Sequence, residues 1–258
     1  MSRGFGVAAG LDPEVAAPLA ARCAELGYAS MWSNDHPGAL GLETLKVFAD
    51  AAPALELGVA VMALDRHQPA DINDHIDRLG IERDRLWLGV GAGFEKKPLT
   101  TMSRALHDLR ERIPGVRLVL AAMGPKMCNL AGRDYDGVFF NWMTPGFATS
   151  ARLNVEWGAG DVPREPPPVF GYVRTAVGAD ARERLAKEES FYRDLHDGYR
   201  NHFERLDEPE GTVGVAAADK AEAQLLLAQY TALDVPVVRG LASATVEGMT
   251  SLAEAAAP

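Results

Sequence analysis

The sequence predicts an α/β fold, a closed barrel of eight parallel strands with helices outside. Three observations predict it. Strand-like and helix-like runs alternate along the chain, the helical runs carry one apolar face, and 258 residues match the size of a (β/α)8 barrel. Parallel pairing needs a crossover after each strand, and helical crossovers shield both faces of the sheet. An open doubly wound sheet is the alternative, because local pattern does not show whether a sheet closes. No linker, low-complexity tract or short repeat interrupts the pattern, so residues 1–258 read as one domain.

The elements follow in order. Phe5 to Ala9 is an apolar strand, and Asp12-Pro13 then opens a helix to Leu26. Asp12 can cap the first amides and Pro13 presets the first helical position. Val15, Leu19, Cys23 and Leu26 share a face, and Gly27 ends the helix. Ala29 to Ser33 is the second strand, Leu42 to Ala52 the second helix and Leu57 to Leu64 the third strand. Pro69 opens a helix with Ile72, Ile76 and Leu79 on one face, before a fourth strand from Leu86 to Val90. Ser103 to Ile113 is helical, Arg117 to Ala122 is the fifth strand, and Gly124-Pro125 starts a helix through Ala131. Gly137 to Asn141 is the sixth strand, followed by a helix near Phe147 to Trp157. Three prolines, Pro166 to Pro168, precede the seventh strand, Val169 to Val177. One long charged and exposed helix is predicted over Ala179 to Leu206, with Val235 to Val238 as the eighth strand.

Composition excludes several classes. At 47% hydrophobic and 24% charged the chain is globular rather than disordered. A formal net charge of −10 repels phosphate backbones, which argues against nucleic acid as a general partner. Cys23 and Cys128 have neither metal-ligand spacing nor a disulfide framework. Met1 to Gly4 leads into structure without the apolar core of a signal peptide, and no apolar run approaches a membrane span. The expectation is a cytoplasmic protein without membrane or metal, acting on a small molecule.

Function in a parallel barrel belongs at the carboxyl ends of the strands, and that rule ranks the polar residues. Asn34, Asp35 and His36 follow the second strand, where a carboxylate can orient an imidazole for proton exchange; the plainer alternative is a turn. Gly91-Ala92-Gly93 follows the fourth strand and can admit a planar ligand or a phosphate, or simply a tight turn. It is not a dinucleotide fingerprint, because Phe94 stands where the last glycine belongs. Gly124-Pro125-Lys126 joins a helix start to a cation, a plausible phosphate cradle as well as an ordinary proline-initiated helix. Asn141 to Pro145 offers an amide and an aromatic wall at the sixth exit, or a capped helix with Trp142 as core. Asp71, Asp74, His75 and Asp77, with His67 nearby, read as a solvated polar face.

Ala122-Met123-Gly124-Pro125-Lys126-Met127, continuing through Leu130-Ala131-Gly132 to Asp136-Gly137-Val138 and Asn141 to Pro145, resembles the luciferase-like monooxygenase family. It is most similar to the branch that depends on the deazaflavin coenzyme F420. Gly27-Tyr28, Trp32, Asn34 to Pro37 and the Gly91 to Gly93 exit fit the same pattern, and the likeness fades after Val177. The resemblance implies a bacterial-luciferase-like TIM barrel binding F420, or alternatively FMN, at its carboxyl-terminal mouth, and a homodimer. It implies a non-prolyl cis peptide within Val59 to Met62, so that Ala60 and Val61 back the cofactor ring. Asp35 and His36 match positions that approach the ring, Gly124, Pro125 and Lys126 match the phosphate segment, and Asn141 lines the mouth. An acidic residue of the sugar-phosphate dehydrogenases in this branch falls at Phe94, and the chain is shorter than typical members.

The function expected is an oxidoreductase moving a hydride between F420 or FMN and a small organic substrate. His36 and Asp35 are the catalytic candidates, and Asn34, Ala60, Val61, Gly91, Ala92, Gly93, Gly124, Pro125, Lys126 and Asn141 are the cofactor-binding candidates. The alternatives are a non-catalytic cofactor-binding protein and, more remotely, a metal-dependent lyase or isomerase on the same barrel.

Overall fold

In the computed structural model, which describes residues 2–258, the strands close into a ring. The first half runs β1 (Gly4–Val7), α1 (Pro13–Glu25), β2 (Ser30–Ser33), α2 (Gly41–Ala51), β3 (Glu56–Ala63), α3 (Pro69–Leu79) and β4 (Leu86–Gly91). Next come α4 (Pro98–Arg112), β5 (Arg117–Ala122), α5 (Pro125–Asp134), β6 (Gly137–Asn141), α6 (Pro145–Gly160) and β7 (Val169–Val177). The chain finishes with α7 (Ala181–Leu195), α8 (Asp197–Leu206), β8 (Val215–Ala217), α9 (Lys220–Leu227), β9 (Val235–Gly240) and α10 (Val246–Ala255).

Strands β1 to β7 pair in sequence order, β7 pairs with β9, and β9 returns to β1, all in parallel. The ring is therefore eight staves, and the open-sheet alternative falls. Strand β8 stands outside it. Thr175–Val177 of β7 pair with β8, beyond Tyr172 where β6 stops pairing, so β8 raises the wall above β6.

The prediction departs from the structure mainly after β7. The long helix is two, broken at extended His196, and it is not simply exposed: Leu185, Glu189, His202 and Phe203 are buried. The elements β8, α9 and α10 were not anticipated. Both Glu189 oxygens accept main-chain amides, from Gly211 at 3.0 Å and Val213 at 2.9 Å, and so anchor the loop that leads to β8.

The local signals behave as their chemistry dictates. Asp12 Oδ1 accepts the Glu14 amide at 2.9 Å, and Gly27 leaves α1 at φ +83. Helices α5 and α6 touch backbone to backbone through two glycines. A Cβ on Gly132 would fall 1.9 Å from the Val155 carbonyl oxygen, and one on Gly158 would fall 2.0 Å from that of Asn129. This contact sets how closely α5 and α6 pack.

Alternate residues of each stave face inward. Trp32, Val119, Phe139, Phe170, Tyr172 and Val237 fill the barrel interior, separate from the larger core beneath the helices. Glycines make room for them. A Cβ on Gly58 would overlap the Trp32 indole at 2.2 Å, and one on Gly6 would meet the Tyr172 ring at 2.7 Å. Low in the barrel, Arg117 lies 3.9 Å over the Trp87 ring and bridges to Glu56 at 2.9 Å.

Candidate active site

The carboxyl ends of the staves gather most of the predicted residues at one mouth. Asn34 ties the first two exits together, its Oδ1 accepting the Ala9 amide at 2.8 Å. Asp35 is buried and fully engaged. Its Oδ1 accepts from the Gly41 amide at 2.9 Å, and its Oδ2 meets Arg66 and His67 Nε2, each at 2.8 Å. Asp35 therefore orients His67 and not His36, as the sequence reading had it. His67, grouped there with a solvated polar face, belongs at the mouth.

Both ring nitrogens of His36 face main chain. Nδ1 accepts the Gly38 amide at 3.1 Å, which leaves Nε2 to carry the proton toward the Ala9 carbonyl at 3.3 Å.

The exit of β3 carries a register shift between Val59 and Met62, with a non-prolyl cis peptide at Ala60–Val61. Neighbouring β4 answers with glycines. A Cβ on Gly89 would lie 2.3 Å from the Val59 carbonyl oxygen, and one on Gly91 would lie 3.2 Å from Val61. Gly91 thus faces the bulge inside the barrel. Ala92 packs outward under the helices instead, because adjacent strand residues point to opposite faces. Gly93 makes room for protein: at φ +62, its Cβ would fall 1.9 Å from Asp65 Oδ1. Asp65 Oδ2 accepts the Phe94 amide at 2.9 Å, and the exposed Phe94 ring rests 4.8 Å from His196 at the α7–α8 break. The loop after β4 therefore reaches the helices that follow β7.

At β5, Gly124 caps α5 and its missing side chain leaves open space, with nothing within 4 Å of a Cβ. The Met127 and Cys128 amides already bond the Gly124 carbonyl, and Pro125 has no N–H. The Lys126 amide and ammonium are donors available at this helix start. Pro125 and Lys126 line a cavity of about 530 Å3 together with Ser103, Arg104 and Arg133. Arg104 also lines an adjoining hollow with Lys96 and Lys97. The first hollow lies between α4, α5 and α6, and Glu95 shares the second, so the cations Lys96, Lys97, Arg104 and Lys126 gather between the β4 loop and the start of α5.

Across the mouth lie residues that the sequence reading missed. Arg174 is 2% exposed, lies 3.9 Å over the Trp142 ring and 4.9 Å over Tyr192, and donates to Asn141 Oδ1. Asn141 Nδ2 in turn donates to the Tyr199 hydroxyl at 3.3 Å, so this predicted mouth residue is held by a polar cluster. Burial pushes the Tyr199 hydroxyl up to about 12. Trp142 is buried with a left-handed φ of +55, its carbonyl bonded to His202 Nε2 at 2.6 Å. Thr144 caps α6 and Trp142 packs with Leu185 and Phe203, as the plainer reading of the Asn141 to Pro145 segment has it. Arg239, 8% exposed, is the β9 partner of Arg174 across the ladder. An arginine near the carboxyl end of an apolar strand was the available signal for both.

No model of a known protein family matches the sequence. Among solved structures, the fold is similar to an F420-dependent secondary alcohol dehydrogenase in complex with an F420-acetone adduct, at TM-score 0.77 and 16% identity, over 99% of each chain. It is similar to the coenzyme F420-dependent tetrahydromethanopterin reductase from Methanopyrus kandleri, at TM-score 0.73 and 16% identity, over 98% of this chain and 96% of that one. It is also similar to the oxygenating constituent of 3,6-diketocamphane monooxygenase from Pseudomonas putida in complex with FMN, at TM-score 0.63 and 12% identity, over 100% and 99% of the chains. These likenesses establish the barrel. No described helix is long and apolar enough to cross a membrane.

Proposed function

We propose that the chain is an oxidoreductase that holds a deazaflavin (F420) or a flavin (FMN) at this mouth and acts on a small organic substrate. The observation that carries the reading is the open helix start at Gly124–Lys126, which follows β5 beside the glycine exit of β4 and the cis-peptide exit of β3. The similar structures that use F420 or FMN support it over the whole chain length. Gly91, Ala60 and Val61 would back the ring, and the Lys126 amide and ammonium would hold the phosphate. When bound, such a cofactor supplies the hydride chemistry. The protein contributes position and a proton at His36 Nε2, the one ring atom carrying it.

Titration of the purified protein with F420 and with FMN tests the reading. Saturable binding of one at micromolar concentration is expected, and Lys126→Ala should weaken it about tenfold, the effect of about 1.4 kcal/mol. Binding of neither cofactor refutes the proposal. His36→Ala is expected to lower turnover by about 100-fold while leaving cofactor binding unchanged, the ordinary scale of general acid–base help.

A second reading, a non-catalytic carrier of the same cofactor, is favoured by the main-chain partners on both His36 nitrogens. Substrate-dependent loss of the F420 absorbance band decides against the carrier; tight binding without it decides for the carrier.

A further inference from the structure

Arg174 and Arg239 stand side by side on β7 and β9, and both side chains point into the barrel in line with Tyr172 and Val237. They are almost completely buried, yet neither forms an ion pair among the described residues. Two adjacent buried cations without a carboxylate destabilise the protein that carries them. Arg174 is partly compensated by the faces of Trp142, Tyr172 and Tyr192 and by Asn141, although its Nε remains without a partner. Among the described residues Arg239 has no hydrogen-bond partner; its guanidinium carbon lies 6.0 Å from the Tyr172 ring centroid, and the residue keeps 8% exposure. Glu188 on α7 contributes field at Arg239 but no ion pair. The Tyr172 hydroxyl is also buried without a partner.

We propose that Arg239, Tyr172 and Arg174 form a binding site for the carboxylate of an organic acid, the substrate of this mouth. A guanidinium fork with a phenolic O–H beside it offers three donors, and a carboxylate has two oxygens to accept them. Burial keeps the Tyr172 hydroxyl protonated, hence a donor. This site lies on β7 and β9, whereas Lys126 starts the helix after β5, so the two anion sites are separate. Calling the acid a substrate rests on the function proposed above. The binding itself does not.

The test uses the whole protein without cofactor and follows tryptophan fluorescence, since Trp142 lies against Arg174. The probes are straight-chain monocarboxylates from acetate to hexanoate, their primary amides, and inorganic phosphate. At least one carboxylate should saturate, with its amide and phosphate at least tenfold weaker. Arg239→Met should weaken that carboxylate at least tenfold, Arg239→Lys should restore part of the loss, and F420 affinity should change less than threefold. Without ligand, Arg239→Met should melt about 2–4 °C higher, as expected when an uncompensated buried charge is removed. Equal binding of acid and amide, tighter binding of phosphate, or no effect of Arg239→Met would each overturn the proposal. So would a lower melting temperature or failure of that variant to fold, which would make Arg239 structural. A parallel loss of F420 affinity would assign the anion to the cofactor and also overturn it. If F420 does not bind the native protein, the cofactor reading fails while the carboxylate titration still stands or falls by itself.

Discussion

Asp35 shows how a candidate residue can keep its place at the mouth and change its partner. Its carboxylate joins the start of α2, through the Gly41 amide, to Arg66 and His67 beyond β3. Replacing it leaves a buried amide and two cationic or polar groups without their acceptor. Asp35→Ala is expected to destabilise by about 2 kcal/mol, seen as a melting point lower by about 4–8 °C. Unchanged melting would mean that water replaces the carboxylate fully. Adjacency in sequence suggested that Asp35 serves His36, but neighbouring residues after a strand diverge, and the partner came from the next exit. His202 makes a second prediction at this scale. Burial holds its imidazole below the ordinary histidine value of 6.5. In the window just below that value the unfolded chain therefore binds more protons than the folded one, so stability is lost as pH falls through it. His202→Gln lacks this loss, and the gap in melting temperature between native and variant should narrow from pH 7.5 to pH 5. A gap that widens toward acid refutes the assignment.

Helices α5 and α6 carry the element-scale prediction, and its sign runs against helix propensity. Alanine improves an exposed helix interior over glycine by about 1 kcal/mol. At Gly132 and Gly158 the Cβ would enter the backbone of the facing helix at about 2 Å. Gly132→Ala and Gly158→Ala should each lower stability by about 1–3 kcal/mol, read from chemical denaturation. Elements up to β7 were legible because each strand is a short apolar run punctuated by Gly or Pro, and each helix has one apolar stripe. The segment from Ala179 to Leu206 was not. Its charges continue across the His196 break, so composition carries no sign that two helices meet there. Strand β8 has three residues, too short to show alternation. Arg174 and Arg239 were missed because an apolar strand reading treats an arginine as noise, whereas inward register at the mouth makes it chemistry.

At the scale of the molecule, the two chain ends lock the ring. Arg3, just before β1, donates to the Ala256 and Ala257 carbonyls at 3.0 and 2.8 Å, and the Tyr28 hydroxyl donates to Ala253 at 2.8 Å. Leu252 and Met249 of α10 pack near Gly240 at the end of β9. Deleting residues 246–258 should abolish cooperative thermal unfolding, followed by circular dichroism. A truncated chain that still melts sharply within a few degrees would place the lock elsewhere. Ring closure itself could not be read locally, because the β9–β1 ladder joins residues more than two hundred positions apart. The aromatic fill low in the barrel has a further consequence. Trp32, Phe139 and Phe170 pack ring against ring across the lumen, with centroids 4.9 to 6.5 Å apart, and leave the mouth as the way in. If cofactor and substrate enter as proposed, two guests sharing one doorway queue: whichever settles deeper arrives first and departs last, so steady-state kinetics with both varied should follow a compulsory order.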